Sequence, residues 1–223
     1  MIAESGVVVP ARFSGAPDTA HGGYTCGVLA SSVGPVAGTP VVSLLLPVPV
    51  EQPMHLEVSA DQAVLVHGEQ VVATMVASPD PVPVVPPVGV LEAERAAEAY
   101  AGFDAHPSPT CFACGHDRVD GLLLSPGLVG ENAVACTWTP VETSPEVLWA
   151  ALDCPASWAT DEPMTLTRMA ADLVAPPVPG ERHVVVARQV HRAGPVAATV
   201  TSIYGPGDVL VATATAQWAL PEL

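Results

Sequence analysis

The chain contains no lysine: its seven basic residues are all arginine, against 23 Asp and Glu, for a formal net charge of −16. Without a basic stripe to neutralise phosphates, nucleic acid is not expected as a partner. No apolar run approaches the roughly 20 residues needed to span a bilayer, and Met1-Ile2-Ala3-Glu4-Ser5 lacks the basic start of a secretory leader. No membrane association is therefore expected. Cysteine is sparse and odd in number, five residues unevenly spaced, which argues against a disulfide framework and fits the reduced thiols of a cytosolic protein. Aromatic residues make up only 4%, so a core must be assembled from small and β-branched side chains, which suit sheets.

What is present is mostly apolar. Hydrophobic residues reach 49% of 223 positions, enough for a sizeable core and for two units of roughly 100 residues packed as one body. The 25 prolines and 18 glycines fall largely in short punctuating pairs between Val-rich runs, the pattern of a folded chain rather than a disordered one. Five of the arginines (Arg118, Arg168, Arg182, Arg188 and Arg192) lie in the second half, which leaves room for a local positive patch that meets a phosphorylated ligand.

The chain reads as one unit written twice. His21-Gly22-Gly23 is followed after six more residues by Ala30, and Ser144-Pro145-Glu146 runs with the same spacing to Asp153. The flanks repeat too: Leu46-Pro47-Val48-Pro49 matches Pro176-Pro177-Val178-Pro179, and Val71-Val72-Ala73-Thr74 matches Val209-Leu210-Val211-Ala212-Thr213. Because the glycine pair survives in one copy and the acid in the other, a single site built from both is implied.

Element by element, Gly6–Phe13 reads as a strand and Gly22–Ser32 as a helix stopped by Gly34-Pro35. Val41–Leu46, Met54–Ala60, Ala63–His67 and Val71–Ala77 read as strands, the last two joined at Gly68-Glu69. Pro79–Pro87 is an extended connector, and Leu91–Tyr100 a solvated amphipathic helix bridging the halves. The division is thus residues 1–78, a connector with its helix at 79–105, and a second unit at 106–223. In the second unit, strands are expected near Gly121–Ser125 and at Ala133–Thr139. A helix follows whose start has a Ser144 cap, Pro145 and Glu146, with Pro155 kinking it or ending it early. Arg168–Val174, His183–Arg192, Ala197–Tyr204 and Val209–Leu220 are the closing strands, with Tyr204–Asp208 as a hairpin loop.

This order, with Ala20-His21-Gly22-Gly23-Tyr24 opening a helix and a Val-Ala-Thr-Ala strand closing the chain, resembles the hot-dog thioesterases of the 4-hydroxybenzoyl-CoA and phenylacetate-pathway type. Cys111-Phe112-Ala113-Cys114-Gly115 followed by Gly121-Leu122-Leu123-Leu124 resembles a C-F-x-C-G…G-L-x-L stretch of that group. The Asn-Pro usual between the two is replaced here by Arg118-Val119-Asp120. The resemblance implies an α+β architecture of two fused hot-dog units, a pseudo-dimer in one chain, and pairing of two chains into a homodimer of double hot-dogs. It also implies hydrolysis of an acyl-CoA or acyl-carrier thioester, with no cofactor. The other readings are a non-catalytic acyl-binding or CoA-binding protein of the same fold and, as a minor branch, an enoyl-thioester hydratase using Asp18 and His21.

Thioester hydrolysis needs a base or nucleophile and donors aimed at the developing oxyanion. By the resemblance the acid is Asp153. The N–H groups of Gly22 and Gly23 at a helix N-terminus are the candidate oxyanion donors, and His21, Tyr24, Thr25 and Ser157 the candidate substrate-binding residues. The plain alternative is that the glycines only permit close packing and Asp153 is a solvated or capping acid. Cys111-x-x-Cys114-Gly-His116 has the spacing of a metal-binding thiolate pair, but no second pair follows. Cys136 and Cys154 fall singly in a strand and a helix, so buried structural thiols are expected and no metal.

Overall fold

A computed structural model describes residues 3–160 and 162–221, with backbone only at 3–4. Among these residues, eleven antiparallel strands form one sheet: β1 (Ala3–Val7), β2 (Thr39–Leu44), β3 (Met54–Val58), β4 (Gln62–His67), β5 (Gln70–Ser78), β6 (Gly127–Gly130), β7 (Ala133–Trp138), β8 (Thr165–Leu173), β9 (His183–Ala193), β10 (Val196–Gly205) and β11 (Val209–Ala219). Their order is β1-β3-β4-β5-β2-β8-β11-β10-β9-β7-β6. The first five in space come from the first half of the chain and the other six from the second. Between them β2 pairs with β8 through Val41↔Ala170, Val42↔Met169 and Ser43↔Arg168. Because that seam is a hydrogen-bonded strand pair, the two halves share one sheet rather than merely touching.

Two helices lie against this sheet and against each other: α1 (Gly22–Ser32) in the first half and α3 (Pro145–Trp158) in the second. In α3 every residue from Val147 to Ala156 is buried, the signature of a helix enclosed on all sides rather than a surface amphipath. Its start follows the sequence rules: the Ser144 hydroxyl accepts from the Val147 N–H, with Pro145 at the first turn. The helix runs through Pro155 and stops three residues later. It neither ends early nor breaks there, because a proline so near the C-terminus removes a single backbone bond. The helix α2 (Val90–Glu98) is less solvated than its charge pattern implies. It buries Ala93 and Ala96 against β6 and β7, and the β6 start at Gly127 comes so close to the Ala96 carbonyl that no Cβ would fit.

Two expected strands are absent in the form expected. Gly6–Phe13 is a strand only to Val7; Pro10 follows, and Ala11–Phe13 is a single 3₁₀ turn. Proline has no N–H for a ladder, which limits the strand. Gly121–Ser125 is not a strand at all: Leu122 and Leu124 donate their N–H groups to the carbonyls of Phe112 and Ala113, and Leu123 has φ +53°. This apolar run is therefore fastened to the cysteine loop and not to the sheet. The hairpin at Gly68, with φ +60°, and the connector over residues 79–89 take the expected forms.

Candidate functional site

The start of α1 faces the middle of α3. His21 is the α1 cap residue, its Nδ1 accepting from the Tyr24 N–H at 3.3 Å. The Gly23 N–H donates to Asp153 Oδ2 at 2.7 Å, and the same oxygen lies 3.4 Å from His21 Nδ1. Asp153 and His21 are 5% and 2% exposed, so neither is a solvated or surface group. The expectation that one half supplies a helix start and the other an acid is met in space: the two elements touch. A Cβ at Gly23 would lie 2.5 Å from both Asp153 Cβ and the Trp149 carbonyl oxygen. Glycine there brings the helices into contact and leaves the N–H bare for the carboxylate.

Burial pushes the Asp153 carboxyl above its usual range; His21 and the Gly23 N–H oppose that rise, and negative charge at Cys111 adds to it. For His21, burial is the largest influence and lowers its basicity, but Cys111 and Asp153 together carry it above the ordinary histidine value. A base raised toward neutrality by desolvation is suited to proton transfer.

A cavity of about 1080 Å³ opens beside this contact. Its wall includes His21, Gly22, Thr25, Asp153 and Ser157, with Leu44–Val48, Met164 and Leu166 supplying apolar surface from both halves. Thr25 is 1% exposed, and its hydroxyl has no hydrogen-bond partner among the described residues. An orphaned buried hydroxyl on a cavity wall is the mark of a group held for a ligand or an ordered water. Gly22, at the first helical position, contributes to the wall, and its N–H makes no hydrogen bond within the described residues. Of the residues that the sequence singles out for substrate binding, this leaves Tyr24, which is not on the wall. Its ring stacks on Phe13 at 3.8 Å and meets Phe112 edge-on, so it packs the base of the helix. Asp18 is exposed with φ +58°; the carboxylate beside His21 is Asp153, more than a hundred residues away.

Sequence spacing missed the surroundings of His21. Its Nε2 lies 3.2 Å from Cys154 Sγ, and Cys154 Sγ lies 3.6 Å from Cys111 Sγ. The loop that carries Cys111 belongs to the second half but rests on the first: the Phe112 N–H donates to the Ser14 carbonyl, and Arg118 donates to the carbonyls of Thr110 and Arg12. Arg118 also lies 5.6 Å over the Phe112 ring. Where the resembling group has Asn-Pro, this chain thus has a cation that clamps the loop. No sequence signal links residues so far apart; only the C-x-x-C spacing drew notice to the loop.

No family model and no curated protein sequence matches this chain. Solved structures do. They include a provisionally named thioesterase from Novosphingobium aromaticivorans DSM 12444, with 12% identity, TM-score 0.68, and 99% of this chain and 96% of that one covered. A conserved protein of unknown function with a hot dog fold from Alicyclobacillus acidocaldarius gives 12% identity and TM-score 0.63, with 99% and 94% covered. The acyl-CoA thioesterase II TesB2 of Mycobacterium marinum gives 12% and 0.56, with 99% and 93% covered. At such identities the common property is the fold: this chain has a double hot-dog fold, two units in one polypeptide. The first expectation drawn from the repeated sequence is thereby met.

Proposed function

We propose that the protein hydrolyses an acyl thioester, carried on CoA or on a carrier protein, at the seam between its two hot-dog units. The observation that carries this reading is Asp153, a buried carboxylate of the second unit held by the α1 start of the first, on the wall of a largely apolar cavity. Asp153 is the base or nucleophile. Gly23 holds it in place, which moves that glycine from oxyanion donor to positioning residue, and the Gly22 N–H and the Thr25 hydroxyl are the donors for the thioester carbonyl. A hydratase would need a histidine nitrogen turned to substrate, whereas His21 Nε2 faces the Cys154 sulfur. Thioester hydrolases among the structural neighbours carry the same fold, which supports the class and leaves the acyl group open.

The test is release of free thiol from short, long and aromatic acyl-CoAs. Turnover of any of them supports the reading; binding of acyl-CoA without turnover makes the protein an acyl-binding module instead. Thr25 gives an independent check. In Thr25→Val the orphan hydroxyl is removed at constant shape, so thermal stability rises by about 1 kcal/mol. At the same time kcat/KM falls about tenfold, the worth of one lost hydrogen bond to substrate. A variant neither more stable nor slower would remove Thr25 from the site.

A further inference from the structure

The C-x-x-C loop is left unused by the hydrolase reading, and its surroundings are more than packing. Cys111, Cys154 and His21 present Sγ, Sγ and Nε2 atoms that all lie within 4.8 Å of one another, and all three residues are buried. Cys114, the other thiol of the loop, instead meets His106 Nε2 at 3.3 Å. Three soft donors from three separated segments therefore meet: the α1 cap, the Cys111–Cys114 loop and the middle of α3. We propose that His21, Cys111 and Cys154 form a binding site for one zinc-class divalent cation per chain, a Cys₂His clasp with its fourth position left for water, independent of whether the protein is a hydrolase.

Geometry supports a metal over a disulfide or an inert thiol cluster. Tetrahedral zinc with bonds of about 2.3 Å to sulfur sets neighbouring sulfurs about 3.8 Å apart. Cys111 and Cys154 stand at 3.6 Å, against about 2.05 Å for a covalent S–S bond. The surrounding shell also fits. With Nε2 on the metal, the ring proton sits on Nδ1, which then donates to Asp153 Oδ2, 3.4 Å away, in place of accepting the Tyr24 N–H, the carboxylate–histidine–metal arrangement that fixes a ligand's tautomer. Zinc with two thiolates and a neutral imidazole carries no net charge. The nearby Arg118 guanidinium, only 10% exposed, and the N-terminus of α1 favour the thiolate forms that bind it. The loop turn is tight enough to be built for this: the Gly115 N–H donates to the Cys111 carbonyl, and a Cβ at Gly115 would lie 2.4 Å from the Cys111 nitrogen. On binding, thiol protons leave to solvent and no redox change occurs.

The experiment uses the full chain purified reduced and without chelator. Elemental analysis is expected to find close to one zinc per chain, and replacement by cobalt(II) to give a tetrahedral spectrum with intense thiolate-to-metal charge transfer. Removing the metal lowers the melting temperature, since an ion that binds only the folded state stabilises it. Cys154→Ser and Cys111→Ser lose the metal; Cys136→Ser, a buried thiol of β7 outside the cluster, keeps it. Should either serine variant fail to fold, the cobalt spectrum of the unmodified chain decides alone. The proposal falls if the reduced chain takes up neither zinc nor cobalt, if cobalt binds without thiolate charge transfer, or if a Cys111–Cys154 disulfide is the resident state. Thiol release from acyl-CoA is scored separately, so failure of one reading leaves the other standing.

Discussion

Asp153→Asn is expected to reduce thiol release from acyl-CoA by at least about a hundredfold, with melting temperature almost unchanged. The size follows from the role: a positioned general base contributes on the order of 10²–10⁴ in rate, and an amide can neither take a proton nor attack a carbonyl. The near-constant stability follows from the contacts. The Asn carbonyl oxygen still accepts the Gly23 N–H that Asp153 Oδ2 accepts at 2.7 Å. The substitution thus removes the charge and the basicity while keeping shape and that hydrogen bond, so kcat and kcat/KM fall together. Asp153→Ala is a poorer probe, because it strands the buried Gly23 donor, a loss of about 1–3 kcal/mol. Turnover indifferent to Asp153→Asn would move the chemistry away from the seam.

The fold was legible because it was written twice. Ser144-Pro145-Glu146 opens α3 where the sequence places it, and nine strands from Val41 onward stand within a few residues of the expected bounds. The exceptions have physical causes. Gly121-Leu122-Leu123-Leu124 is apolar enough for a strand, yet its N–H groups are taken by the Phe112 and Ala113 carbonyls; hydrophobicity signals burial without saying against what. At the site, the split of glycine pair and acid between the repeats pointed to their meeting. What each does there depended on direction, which spacing does not carry: the Gly23 N–H points at Asp153, and the Tyr24 ring points at Phe13 and away from the cavity. The cysteine cluster was least legible of all. Its members are brought together by the α1–α3 crossing and by a loop that folds back onto the first unit, over sequence separations of 133 residues for His21 and Cys154 and 43 for Cys111 and Cys154.

That crossing rests on Gly23, and Gly23→Ala is expected to cost about 2–3 kcal/mol, lowering the melting temperature by roughly 5–10 °C for a chain of this size. Alanine would ordinarily favour a helix. Here the added Cβ meets Asp153 Cβ and the Trp149 carbonyl oxygen, each at 2.5 Å. Neither can rotate away, one being backbone of a helix buried along its middle and the other fixed to that backbone. The helices must therefore separate. Separation lengthens the Gly23–Asp153 hydrogen bond and shifts the carboxylate, and a displacement near 1 Å at a reacting group costs about a hundredfold in rate. The variant should lose activity even at temperatures where it stays folded. Gly34→Ala, just beyond α1 where a Cβ meets nothing within 4 Å, is the matched control and should leave both melting temperature and turnover unchanged. Thermal unfolding and thiol release measured on the pair separate the two accounts of this glycine. Stability lost with activity intact would make Gly23 a packing residue alone, whereas loss of both places it where the two hot-dog units hold their shared carboxylate.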